Sequence, residues 1–215
     1  MTNETFIDKV IEYYDEARHL TFANYKNQII RGKSHTISGK SEDLFAYWLA
    51  EKLDINNIQY WVDKPISFHN IDIGRKTTIQ PDVLIDDNSI VKCYFDIKMD
   101  LGWKRDLTDY LNQKNNLISK IRNKECWIKI ENEHIEMEFS NKIKYQIIVL
   151  CGENISREKM EENNNCASTL DNVELYILSG NQHLNMYKKQ QERDKLEIYE
   201  DAFDKLISDT KELLK

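Results

Sequence analysis

The sequence predicts an α/β domain in which a mixed central sheet is flanked by helices, with an inserted β-hairpin and a helical C-terminal tail. Three observations lead there. Apolar residues recur at helical spacing in Phe6, Ile7, Val10, Ile11, Tyr14 and Ala17, and again in Leu44, Phe45, Trp48, Leu49 and Leu53. Short strand-like runs follow, of which 80–98 and 144–152 are the most apolar. No repeat, low-complexity tract or Pro/Gly/Ser-rich linker interrupts the chain, and 215 residues suit one domain with a core of its own.

Residues 4–20 read as an amphipathic helix. Residues 18–40 then carry Arg18, Lys26, Arg31, Lys33 and Lys40 with His19 and His35 and no acidic residue, so this is either a solvated loop or a phosphate-contacting segment. Residues 4–40 thus form a helix and basic segment ahead of a core at 41–180. Ser41 is the expected N-cap of a helix ending near Leu53. Glu42, three residues before Phe45 and seven before Leu49, sits at the edge of its apolar face, whereas Asp43 is turned away.

Residues 58–68 predict a strand interrupted by Pro65, and a turn with Gly74 leads to a strand over 77–85. The polar turn 86–89 joins it to a second strand ending Asp96-Ile97-Lys98. Side chains alternate along a strand, so Lys92, Tyr94, Asp96 and Lys98 share one face.

Asp106 is an expected N-cap for a helix carrying Leu107, Leu111, Leu117, Ile118 and Ile121. Lys114 falls on that stripe, where its stem packs on the core and its ammonium snorkels outward, or else meets a phosphate. Residues 127–139 alternate as a hairpin, and 144–152 is an apolar central strand with a crossover helix before it. A short helix at 157–162 and a strand at 173–179 extend the fold. The tail 185–215 has a sparse stripe, Leu196, Tyr199, Phe203, Leu206 and Leu213, suited to the core or to another subunit.

Composition excludes several classes. A 40% hydrophobic and 10% aromatic chain is not disordered, and no apolar run reaches the ~18 residues of a membrane span. The first residues lack a signal-peptide pattern, so a cytoplasmic location and no membrane partner are expected. Cys93, Cys126, Cys151 and Cys166 form no C-x-x-C pair and read as reduced structural thiols. Net charge of -7 argues against a protein that coats nucleic acid along its whole surface. Dinucleotide, P-loop and serine-hydrolase motifs are absent, and the histidines have no metal-ligand spacing.

Pro81-Asp82 at the head of one strand and Asp96-Ile97-Lys98 at the end of the next, followed by a helix, resemble the PD-(D/E)XK nuclease superfamily. The order of a helix, three antiparallel strands and a helix fits its restriction-endonuclease-like fold. The resemblance implies a divalent-metal-dependent endonuclease that hydrolyses DNA to 5′-phosphate and 3′-hydroxyl ends, with Glu42, Asp82, Asp96 and Lys98 as catalytic residues. Asp82, Asp96 and the Ile97 carbonyl would hold Mg²⁺, with Mn²⁺ as substitute, and Glu42 would ligate through water. Hard carboxylate oxygens suit these ions, and Lys98 would orient the nucleophile or neutralise developing charge. Duplex DNA is the expected partner, gripped through Lys33, Lys40, Lys104, Arg105 and Lys114, and a homodimer the expected assembly. A stand-alone domain of this size resembles Type II restriction enzymes. Competing expectations are a junction resolvase, a ribonuclease and a non-cutting binding module of the same fold. The plainest alternative is that Asp82 is a turn residue and Asp96 with Lys98 an exposed i, i+2 pair.

Overall fold

A computed structural model describes residues 1–22, 25–28, 36–70, 74–102, 105–186 and 190–215. Helices α1 (Asn3–Ala17) and α2 (Ser38–Leu53) lead into β1 (Ile58–Val62), β2 (Ile66–Asn70), β3 (Arg75–Ile79), β4 (Val83–Asp87) and β5 (Ile90–Lys98). Then come α3 (Thr108–Ile121), β6 (Glu125–Ile130), the long β7 (Glu133–Val149), α4 (Arg157–Ser168) and β8 (Val173–Ile177). The chain closes with β9 (Ser179–Gly180), α5 (Gln190–Arg193), β10 (Glu197–Ile198) and α6 (Glu200–Leu214).

The sheet is mixed, as expected. Its order is β1-β4-β5-β7-β6-β2-β3, with β8 also on β7. The β1, β4 and β5 strands are antiparallel, while β5, β7 and β8 run parallel. A parallel neighbour needs a crossover, and α3 lies in the β5–β7 connection.

Helices cover both faces, so β4 and β5 are apolar on both. Val83, Ile85, Cys93 and Phe95 point into one layer, where they meet Phe45, Trp48 and Leu49 of α2 with Phe6 and Phe203. Leu84 and Tyr94 point the other way, to Leu111, Ile118 and Ile121 of α3. Phe45 packs edge-on against Phe95 with ring centroids 5.5 Å apart, which locks α2 over the end of β5. Truncating Phe45 to alanine would cost about 3–5 kcal/mol. The C-terminal stripe is resolved in favour of the core, since Phe203, Leu206 and Leu213 of α6 are buried there.

Several boundaries differ from expectation. Helix α2 starts at Ser38 with Ile37 as its N-cap, so Ser41 is no cap but a buried residue inside the helix. Leu107 flanks α3, although the Asp106 carboxylate does accept the Thr108 N–H at 2.9 Å. The expected strand at 77–85 is two strands. β3 pairs with β2 and β4 with β1 and β5, because Pro81 lacks the N–H that a continuous strand needs. The run 58–68 divides likewise at Pro65, β1 joining β4 and β2 joining β6. The outgoing arm of the 127–139 hairpin is continuous with the central strand, both lying in β7. The four cysteines are free, three of them buried. Among the described residues, no helix is long and apolar enough to cross a membrane.

Candidate active site

The start of β4 and the end of β5 lie side by side, and their pairing dictates what happens at the sheet end. Val83 faces Phe95 and Leu84 faces Tyr94, so the position opposite Ile97 is Pro81. Proline has no N–H to offer the Ile97 carbonyl. The Ile97 N–H, in turn, donates to Asp82 Oδ2 at 2.5 Å rather than to the ladder. One residue further, the Lys98 carbonyl accepts the Leu150 N–H on the β7 side at 2.8 Å. Because a strand residue directs its N–H and C=O to the same side, the Ile97 carbonyl is directed to the β4 side of β5, the side on which Asp82 lies. Asp82 is fixed from behind by its own carbonyl, which accepts the Asp63 N–H at 2.8 Å.

Asp96 and Lys98 point the same way, as alternation predicts. Asp96 is buried, only 7% exposed, so the pair is not an exposed surface pair. Its Oδ1 accepts from Lys98 Nζ at 2.6 Å, and its Oδ2 accepts from the Tyr110 hydroxyl at 2.7 Å. The Tyr110 hydroxyl also shares a 2.9 Å hydrogen bond with the Tyr145 hydroxyl, and Tyr145 stacks on Tyr94 at 4.5 Å. Lys114 completes the cluster. Its ammonium lies 4.9 Å from the Tyr110 ring centroid and 5.0 Å from that of Tyr145, a cation–π geometry, instead of snorkelling away from the site. Burial lowers its pKa and the Lys98 charge adds to this, while Asp96 and Asp82 oppose.

Two of the acids, Asp82 and Glu42, are shifted upward, in each case chiefly by burial. Burial pushes the Asp82 carboxyl up to about 6; Asp96 adds its charge and a hydrogen-bonding contact, against the Ile97 amide and Lys98. Burial likewise pushes Glu42 up to about 7, with Asp82, Asp63 and Asp43 adding negative charge and Lys98 opposing. Glu42 therefore belongs to the same electrostatic cluster. The helical phase is as expected, with Glu42 partly buried and Asp43 exposed.

All four expected catalytic residues thus gather at one end of the sheet, with three that the sequence did not single out. Tyr110 sits three residues after Leu107 on the α3 stripe, a spacing that could have marked it. Tyr145 looks like an ordinary core aromatic of β7, and Asp63 like a turn residue with φ of 48°. Neither carries a sequence signal of its own.

The expected nucleic-acid contacts are less gathered. Lys33 and Lys104 lie outside the described residues. Lys40 is exposed and pairs with Glu16 at 2.7 Å, Arg105 is exposed with Nε donating to the Gly102 carbonyl at 3.4 Å, and Lys114 faces the site. A cleft of about 710 Å³ opens elsewhere, lined by His69, Glu125, Trp127, His134, Glu136 and Glu138. It includes the 88–90 turn at the start of β5, roughly 26 Å along that strand from Lys98.

Among the described residues, no three His, Cys, Asp or Glu side chains are grouped as a metal cage. Two carboxylates and one carbonyl are a sparser donor set. Such a set fits Mg²⁺, which keeps several waters and takes one or two carboxylates plus substrate phosphate. It fits Zn²⁺ poorly, since that ion favours four nitrogen or sulfur donors. Searches of protein-family models, curated proteins and solved structures find no match to this chain.

Proposed function

We propose that the chain is a divalent-metal-dependent endonuclease of the restriction-endonuclease-like type, hydrolysing DNA phosphodiester bonds to 5′-phosphate and 3′-hydroxyl products. The observation that carries this reading is the convergence of Asp82, Asp96, Lys98 and the Ile97 carbonyl at one sheet end. Two acids in mutual contact, one with its pKa pushed up to about 6, form a site that gains from a bound cation.

Asp82, Asp96 and the Ile97 carbonyl would hold Mg²⁺ or Mn²⁺, with Glu42 reaching it through water. When bound, the ion supplies charge neutralisation and acidifies an attacking water. Lys98 has three N–H donors and gives one to Asp96, leaving two to orient the nucleophile and to meet charge developing on the phosphoryl oxygens. Lys114, held over two aromatic faces, adds a second fixed cation on the same side. Lys33, Lys40, Lys104 and Arg105 would hold the phosphate backbone, which positions the duplex without reading sequence. A double-strand break needs one site per strand, so a homodimer of the Type II kind is the working unit of this reading.

The test is cleavage of plasmid DNA by purified protein in Mg²⁺, with chelator and Asp96→Asn controls and with labelled-end analysis of the products. Metal-dependent cutting that Asp96→Asn abolishes supports the reading. Wild-type-like cutting by Asp96→Asn protein, or none by the wild type on duplex, branched or RNA substrates, overturns it.

A further inference from the structure

We infer that Tyr110 is the positioning residue of Asp96: its hydroxyl fixes the carboxylate in the orientation that binds the divalent ion. This rests on the metal-dependent reading of the site. A carboxylate on a strand can turn about its side-chain bonds, and a metal ligand must not. Here Lys98 Nζ donates to Asp96 Oδ1 and the Tyr110 hydroxyl donates to Oδ2, so each oxygen is held by a donor, with Asp82 beside them. A carboxylate offers about four lone-pair sites, so these two donors leave acceptor capacity for a metal.

Of these two partners, Lys98 is a flexible stem with a half-exposed head and is free to turn towards a phosphate. Tyr110 is not free. Its hydroxyl is bonded to that of Tyr145, whose ring is stacked on Tyr94. Its own ring meets Tyr145 edge-on at 6.3 Å and lies under the Lys114 ammonium at 4.9 Å. Tyr94 and Tyr145 are buried residues on adjacent, register-paired strands. The orientation of Asp96 is thus set by the sheet itself, through two phenols, and Lys98 can move during the reaction without releasing it.

Tyr110→Phe removes one oxygen atom and keeps both rings and the Lys114 contacts. Mn²⁺ affinity is measured by titration calorimetry on wild type, Tyr110→Phe and Tyr145→Phe, alongside kcat, KM for DNA and melting temperature. Tyr110→Phe is expected to weaken Mn²⁺ binding and lower kcat by about 10- to 100-fold, the range for lost partners of metal ligands, with KM within about twofold. Tyr145→Phe, which loosens Tyr110 but leaves it its bond to Asp96, is expected to have a smaller effect in the same direction. If the wild type binds Mn²⁺ and Tyr110→Phe binds it equally well with unchanged kcat, the inference fails and the nuclease reading stands. If the wild type binds no Mn²⁺, both fail. An equal fall in melting temperature for both variants with equal losses of affinity would make the role merely structural and would also overturn it.

Discussion

The main-chain amide of Ile97 donates to the side chain of Asp82 across two antiparallel strands, at 2.5 Å. This bond replaces a ladder contact that the sheet cannot make beyond Val83. It gives Asp82 a structural duty as well as a chemical one, and the two can be separated by substitution.

Asp82→Asn keeps an oxygen to accept the Ile97 amide and loses the charge. It should abolish cleavage while leaving denaturant stability equal or higher. Asp82→Ala leaves the part-buried amide unpaired and should lower stability by about 1–3 kcal/mol as well. Equilibrium urea unfolding of both proteins, beside plasmid cleavage, checks this. Equal stability of the two variants would show that the amide finds another acceptor.

Without a divalent ion, the paired acids make stability fall as pH rises. Asp82 and Glu42 have folded-state pKa values near 6 and 7, above the unfolded carboxylate range near 4. The native state therefore holds these protons more tightly. Its contribution is full below about pH 4 and is lost as pH rises through 6 to 7. The Asp82 shift, discounted for solvent screening, amounts to roughly 1 kcal/mol. Metal-free Asp82→Asn and Glu42→Gln should melt higher than wild type at pH 8 and alike at pH 5, and Mg²⁺ should raise the wild type more than either variant. Identical pH profiles for all three proteins would contradict the coupling.

Glu42→Gln should reduce cleavage strongly and Asp43→Asn weakly, because only Glu42 is turned into the cluster from α2. Single-turnover rates in saturating Mg²⁺ rank them. An inverted ranking would mean that α2 presents the other acid to the substrate.

Removal of Lys33, Lys40, Lys104 and Arg105 together, each to alanine, should weaken DNA binding in Ca²⁺. The slope of log affinity against log salt should become shallower by about one unit per lost phosphate contact. The Lys40–Glu16 pair is exposed and worth at most about 1 kcal/mol, so it is no obstacle to a phosphate. Lys114→Met should instead lower the cleavage rate with little change in slope, since its ammonium is committed to the tyrosine faces beside Asp96. An unchanged slope in the fourfold variant would place the polyanion on another surface.

The amino-acid sequence by itself determined the elements that periodicity governs. The α1 and α2 stripes, the alternation along β5 that sets Asp96 and Lys98 on one side, and the phase that brings Glu42 but not Asp43 inward are local consequences of 3.6- and 2-residue repeats. The tertiary structure decided which strands are neighbours. Nothing local in 58–85 says that β4 joins β5 and carries β1 at its other edge while β2 leaves to pair with β6 and carries β3, because strand partners are chosen by contacts distant in sequence. It also decided that Lys114 turns inward, that Tyr110 meets Asp96 and that Tyr145 meets Tyr110. Those contacts span α3, β5 and β7, and a hydroxyl or ammonium finds its partner only once the sheet and its covering helix have closed around it.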